Sequence, residues 1–329
     1  YDIFHLVSNL NHEAVLLFFI ISGFSIGLST FKRPLKNKTS VNAYLYRRFK
    51  RILPIYWIAI LLSLSVGMVL NITYLDDFTV RNFLGNLLFL QTSSSIPESW
   101  VVPYGLNGPL WSLSFEMFFY LLFPLVYFIN QKYLSRTGLF IKYVGLVCIV
   151  LVGIVINKKI VFSPYFLFMA GFITWILGYI SAQYFTFWKK NNLFFLANLV
   201  LGLTVTILSS QIPSDTIRVI AKGMLLNGLF YFAMLILDRV YIKKLGSIIN
   251  ALFYKIGEGS YAIYALHYPI LIFFQTKGIS LGYQLVFIPF FIVGCYFLEK
   301  RSIQWKMGFL EMDYLKPINF LRKKGFIKV

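Results

Sequence analysis

The chain has little charge, and least of all negative charge. Charged side chains make up 13% of its 329 residues, 12 of them acidic against 31 basic. A soluble domain carries about a quarter of its residues charged, so one large water-facing core is excluded. Cysteine is nearly absent: Cys148 and Cys295 both fall within apolar runs. They give no disulfide framework and no zinc spacing, and they read as small buried hydrophobes. No Walker-type loop, no GxSxG motif and no internal repeat is present, and no soluble domain is expected beyond a short tail.

What is there is apolar and aromatic. The chain is 58% hydrophobic and 19% aromatic, with 35 Phe, 22 Tyr and a mean hydropathy of +0.73. Residues 14–31 are almost wholly apolar, the next twenty hold eight Lys and Arg and no acid, and 52–70 are apolar again. That alternation places the chain in a bilayer. The expected fold is an all-α polytopic membrane protein of about ten transmembrane helices in one bundle. The spans are roughly 1–10, 14–31, 52–71, 110–129, 139–157, 164–185, 193–209, 219–238, 259–276 and 283–299. Thr79 to Leu90 is too short to span and reads as an interfacial or re-entrant helix in the outer 72–109 loop. Only seven residues precede the polar run Ser8 to Glu13, so the first span is expected to be cut short, either upstream or around residues 6–13.

Basic residues set the orientation. Loop 32–51, Lys132 with Arg136, Lys189 with Lys190, the 239–258 loop and the tail after residue 299 all fall on one side in a ten-span chain. That side is cytoplasmic, with both termini on it; Lys158 and Lys159 dissent. The expected division is a transmembrane domain over 1–299 and a basic cytoplasmic tail over 300–329. The net charge of +19 resides in short loops rather than in a stripe on a soluble motif, which excludes nucleic acid. Anionic lipid headgroups or an anionic cofactor are the expected partners.

Polar residues within apolar runs are costly and mark candidate sites. His5 is either a general base toward a hydroxyl or a helix-packing histidine; His12, in a polar run, reads as a loop residue. Ser22 lies in a Ser-Gly-Phe-Ser run that suits close helix packing or a backbone approach to substrate. Arg48 and Arg51, three apart, share a helix face. They suit a phosphate-rich ligand or simple positive-inside anchoring. Glu116 is the sharpest physical signal, a carboxylate among Phe, Met and Leu. Ser112, Glu116 and Tyr120 recur every four residues beside Trp111 and line one face, so Glu116 either orients a catalytic group or forms a structural pair. Ser260, Tyr264 and His267 share another face before Pro269, shaping a pocket or packing. Glu299 is expected to pair locally with Lys300 or Arg301.

Taken in order, these stretches resemble membrane-bound acyltransferase family 3, whose members O-acylate cell-surface glycans. The likeness is carried by His5 before Phe18 to Phe24, Arg48 to Pro54, Trp111 to Tyr120, Ser260 to His267 and Glu299-Lys300. It covers nearly the whole chain, and the Arg-x-x-Arg-Ile-Leu-Pro and Trp-Ser-Leu…Glu…Phe-Tyr segments are specific together. The resemblance implies that His5 is catalytic, that Arg48 and Arg51 face the phosphates of cytoplasmic acetyl-coenzyme A, and that Glu116 tunes the polar path. It implies an acyl acceptor on a surface polysaccharide or lipid-linked glycan, a bacterial inner-membrane location and no metal. Two departures stand out: Met117 replaces a second Glu or Gln, and the family Arg eleven residues before the His would precede Tyr1. A transporter or flippase for an amphipathic substrate is the competing class, expecting inverted repeats that the sequence lacks. A non-catalytic scaffold would leave Glu116 and His5 without chemistry.

Overall fold

A computed structural model describes residues 11–93, 99–133, 145, 164–187, 196, 199–200, 202–204, 206–207, 215–239, 254–302 and 304. His5, the expected spans 1–10 and 139–157, most of 193–209 and nearly all of the tail lie outside them. Among the described residues the regular structure is entirely helical: α1 (Asn11–Lys32), α2 (Lys38–Leu70), α3 (Val80–Leu87), α4 (Leu110–Tyr133), α5 (Pro164–Phe187), α6 (Asp215–Arg239), α7 (Ser260–Thr276) and α8 (Leu281–Ser302). Short 3-10 turns at Asp76–Phe78 and Tyr104–Leu106 flank α3.

The expected count of ten transmembrane helices is overturned. Four described helices are long and apolar enough to cross a bilayer: His12–Lys32, Lys38–Leu70, Leu110–Lys132 and Leu281–Ser302. A span needs about 20 apolar residues. Among the described residues α5 offers a shorter apolar helix, Leu167–Gln183. α6 carries Asp215, Arg218, Lys222, Asp238 and Arg239, and α7 has 17 residues with His267 and Pro269 inside. The chain is thus a multi-pass membrane protein, all-α and with four candidate spans among the described residues. The basic stretch is also not a loop throughout. α2 starts at Lys38, capped by Asn37 and Ser40 in a reciprocal box, so Arg48 and Arg51 ride on the same helix as the apolar run. His12 lies in the first turn of α1.

The chain divides into two compact units, and the division falls within α4, after Ser114. The first holds α1, the rest of α4, α5 and α6. Its α1–α5 seam is built on glycine: a Cβ added at Gly23 would lie 1.9 Å from the carbonyl oxygen of Trp175, and one at Gly178 would lie 2.1 Å from that of Ile20. Small residues of this kind let membrane helices approach backbone to backbone. Around the seam Phe19, Phe119, Phe123 and Trp175 are buried and meet edge-on or tilted. Ser181 Oγ donates to Asn227 Oδ1 at 3.0 Å, joining α5 to α6, and Lys222 of α6 pairs with Glu13 of α1 at 2.5 Å.

The second unit holds α2, the 72–93 and 100–109 loop segments, the first turn of α4, α7 and α8. After α2 ends at Asn71, in the left-handed region (φ 55°), the chain turns back along it. Phe78 packs on Gly67, Gly105 (φ +63°) meets Ser63, and Tyr56 OH donates to Asn86 O at 2.9 Å. The return from Gly67 to Tyr56 covers eleven residues of α2, about 16 Å at 1.5 Å per residue. The eight-residue α3 is therefore held along the helix it left. Buried asparagines fix this path. Asn86 Nδ2 donates to Asn82 O and Val102 O while its Oδ1 accepts from Tyr104 N, and Asn82 Oδ1 accepts from Val102 N. Gln91 Nε2 donates to Tyr56 OH and Leu110 O. α7 has its own repair. Pro269 brings no N–H to the carbonyl of Ala265, and Asn107 Nδ2 donates there instead, at 3.1 Å. α8 leaves Leu281, Tyr283, Val286, Phe290 and Val293 exposed.

Candidate active site

In the first unit the buried polar centre is Glu116, 3% exposed. Helical spacing on α4 puts Tyr120 one turn on, and its hydroxyl donates to Glu116 Oε1. Ser22 of α1 donates to the same oxygen at 2.7 Å and lies 3.0 Å from Tyr120 OH. Trp175 Nε1 of α5 donates to Ser22 Oγ at 3.1 Å. Hydroxyl donors from α1 and α4 thus meet on a buried carboxylate, and the α5 indole donates in turn to the Ser22 hydroxyl. Burial without such partners would cost several kcal/mol, and bonds to an ionisable group are among the strong ones. The sequence marked Ser22, Glu116 and Tyr120. It did not mark Trp175, which sits in an apolar run and declares itself only by the indole N–H.

Ser112, expected to share the Glu116 face, instead has its partners in the second unit. Its hydroxyl is 2.6 Å from Tyr264 OH and donates to Pro109 O at 3.0 Å. Tyr264 OH reaches the same carbonyl at 3.2 Å, and His267 Nδ1 is 2.8 Å from Tyr264 O. Tyr264 and His267 do come together as expected, while Ser260 turns away to Gly257 O. Trp111 is half-buried.

The arginine site also belongs to the second unit. Arg51 Nη2 lies 3.6 Å from Glu299 Oε1, with its side chain 47% exposed against a Glu299 that is 2% exposed. Glu299 Oε2 accepts from the backbone N–H of Ala262 at 3.1 Å, in the first turn of α7. Glu299 therefore pairs across helices with Arg51, which corrects the expected local pair with Lys300 or Arg301. An α8 carboxylate also meets the donors at a helix start, where negative charge is favoured. Arg48 lies over the Tyr44 ring at 5.6 Å. A guanidinium has five N–H donors, so with Glu299 as its ion-pair partner among the described residues Arg51 keeps donors for a phosphate; the residues fit an anionic ligand there.

Among the described residues no group of His, Cys, Asp and Glu could hold a metal ion. A family model described as an acyltransferase domain matches residues 1–298. Acyltransferase MdmB of Streptomyces mycarofaciens is 35% identical over 127 residues. That alignment covers 38% of this chain and 31% of the relative, so the match spans about a third of the relative's length. No solved structure matches. With the match running over nearly its full length, and with Arg48, Arg51 and Glu116 placed as described, the chain belongs to membrane-bound acyltransferase family 3.

Proposed function

We propose that the protein is an integral-membrane O-acetyltransferase that moves an acetyl group from cytoplasmic acetyl-coenzyme A to a hydroxyl of a surface polysaccharide or lipid-linked glycan. The observation that carries this reading is Glu116, a deeply buried carboxylate that accepts from the Ser22 and Tyr120 hydroxyls, Ser22 in turn accepting from Trp175, in a chain of an acyltransferase family. Such a carboxylate in an apolar setting is a functional signal by default. In this reading Arg48 and Arg51 hold the coenzyme A phosphates with paired N–H donors. His5, assigned by resemblance, takes the proton of the acceptor hydroxyl. The hydroxyl oxygen attacks the thioester carbonyl, the C–S bond breaks, and the proton passes to the leaving thiolate to give coenzyme A. Glu116, with Ser22 and Tyr120, fixes the polar path. Residues 1–299 form the transferase domain and 300–329 a cytoplasmic tail in a bacterial inner membrane.

The decisive assay is transfer of radiolabelled acetyl from acetyl-coenzyme A to native surface-glycan extract, in purified protein reconstituted in lipid discs. Label must appear in glycan with the wild type and not with His5→Ala, which still inserts and binds coenzyme A. Full product formation by His5→Ala removes the base assignment, and no label with the wild type removes the acetyltransferase reading.

A further inference from the structure

The corner of the second unit where the 100–109 segment meets α7 has more hydrogen-bond acceptors than donors. His267 Nδ1 faces the carbonyl oxygen of Tyr264 at 2.8 Å. A carbonyl oxygen only accepts, so the proton of the neutral ring sits on Nδ1 and Nε2 carries the lone pair. His267 is half-buried, and Nε2 makes no bond within the described residues. On the same turn of α7, Asn107 spends its Nδ2 on Ala265 O. Its Oδ1 is enclosed with no donor, on a side chain that is 0% exposed. The two hydroxyls alongside offer no surplus. Ser112 and Tyr264 have two O–H hydrogens between them, already called on by Pro109 O and by each other.

Asn107 Oδ1 is out of a ligand's reach, and a group able to donate to Nε2 without bringing charge into apolar surroundings is an alcohol. The rings nearby describe the rest of the ligand. Tyr264 and Tyr268 lie 6.0 and 6.1 Å from the His267 ring, Tyr268 edge-on to it and part-exposed. Gly108 adds no side chain beside Tyr268, where even an added Cβ would stand 4.0 Å from the ring. Flat aromatic faces beside a lone-pair acceptor suit a saccharide ring, which is apolar on its C–H face and donor-bearing at its edge.

We propose that His267 is a binding residue for the saccharide acceptor, accepting a ring hydroxyl at Nε2 while Tyr268 covers an apolar face of the sugar. The identification of the ligand as the acceptor rests on the acetyltransferase reading, but the saccharide site itself does not need turnover to be seen. The chain has three histidines, so ¹⁵N-histidine spectra of the full protein in lipid discs contain three imidazoles, and loss of one set in His267→Asn assigns His267. Titration with methyl glucoside, methyl galactoside and methyl mannoside is expected to shift the His267 Nε2 resonance in a saturable way with at least one of them, and to leave Nδ1 in place. An unmoved Nε2 with all three overturns the site.

Two variants separate ligand binding from packing. Asn at 267 can keep the donor to Tyr264 O but has nothing at Nε2, whereas Gln can place an amide oxygen near Nε2 and loses the Nδ1 donor. His267→Asn is expected to keep its thermal midpoint and raise the acceptor KM about tenfold, the equivalent of one hydrogen bond, at unchanged acetyl-coenzyme A KM. His267→Gln is expected to melt earlier and keep most of the acceptor affinity. An unchanged acceptor KM in His267→Asn, or an equal rise in both KM values, overturns the assignment. A saturable shift in a protein that transfers no acetyl would retain the saccharide site and remove the acetyltransferase reading instead.

Discussion

Glu116 and Arg51 are both acid–base or charge residues with buried or half-buried partners, yet their substitutions should behave differently. Glu116→Gln keeps the size of the side chain and an oxygen for Ser22 and Tyr120, and loses only the carboxylate. We expect normal insertion and a fall in turnover on the order of 10²–10⁴, the range of a lost acid–base or orienting group. A fully active variant in the radiolabel assay would demote Glu116 to packing. Arg48→Ala with Arg51→Ala should weaken coenzyme A binding in a calorimetric titration while the acceptor titration changes little. Arg51→Lys tests geometry, because an ammonium keeps the charge and loses the planar fork. The chemistry of these residues was legible in the sequence, since a carboxylate among Phe residues is costly wherever it sits. Their partners were not. Glu299 stands beside Lys300 and Arg301 in the chain, and only the helix arrangement hands it to Arg51.

At the level of elements, the loop that turns back along α2 and the α1–α5 seam carry the clearest tests. Asn107→Ala removes the donor that serves the carbonyl left open by Pro269, at a cost of about 1–3 kcal/mol for a buried unsatisfied group. Pro269→Ala restores an N–H to that carbonyl, so the same Asn107→Ala change should cost less in that background. A double-mutant melting cycle reads the difference. In the same loop, burial first and the charge of Asp76 second push the Asp77 carboxyl above the usual carboxylate range. Its folded form holds the proton to a higher pH than the unfolded chain does. Stability is therefore lost as pH rises from the unfolded pKa through the raised folded value, and the penalty is absent below both. Asp77→Asn should raise the thermal midpoint at pH 7 and have no such benefit at a pH below the ordinary carboxylate range. At the seam, Gly178→Val would drive a side chain into the carbonyl of Ile20, and loss of folded protein in detergent melting is the expected outcome. Periodicity revealed these helices but not the return of the loop. Nothing in Asn82, Asn86, Gln91 and Asn107 as single residues says that their amides serve backbone carbonyls at Asp76, Val102, Leu110 and Ala265.

For the molecule as a whole, membrane character followed directly from hydropathy and the spacing of basic residues. The number of crossings did not. Apolar content alone does not distinguish a helix that spans from one of 17 residues with His267 and Pro269 within it, or from one with charges at both ends like α6. If the basic side faces the cytoplasm, a fluorescent protein fused at the C-terminus should glow, and a phosphatase active only outside the cytoplasm should be silent at the same place; the reverse pattern would invert the orientation. The open flank of α8 has a practical bearing on any such work. Leu281, Tyr283, Val286, Phe290 and Val293 form a greasy strip that water does not tolerate, so protein stripped of lipid will stick to itself through it. Particle sizes measured in lean detergent would then report the surfactant, and a stoichiometry worth believing has to come from a disc with enough lipid to wet that strip.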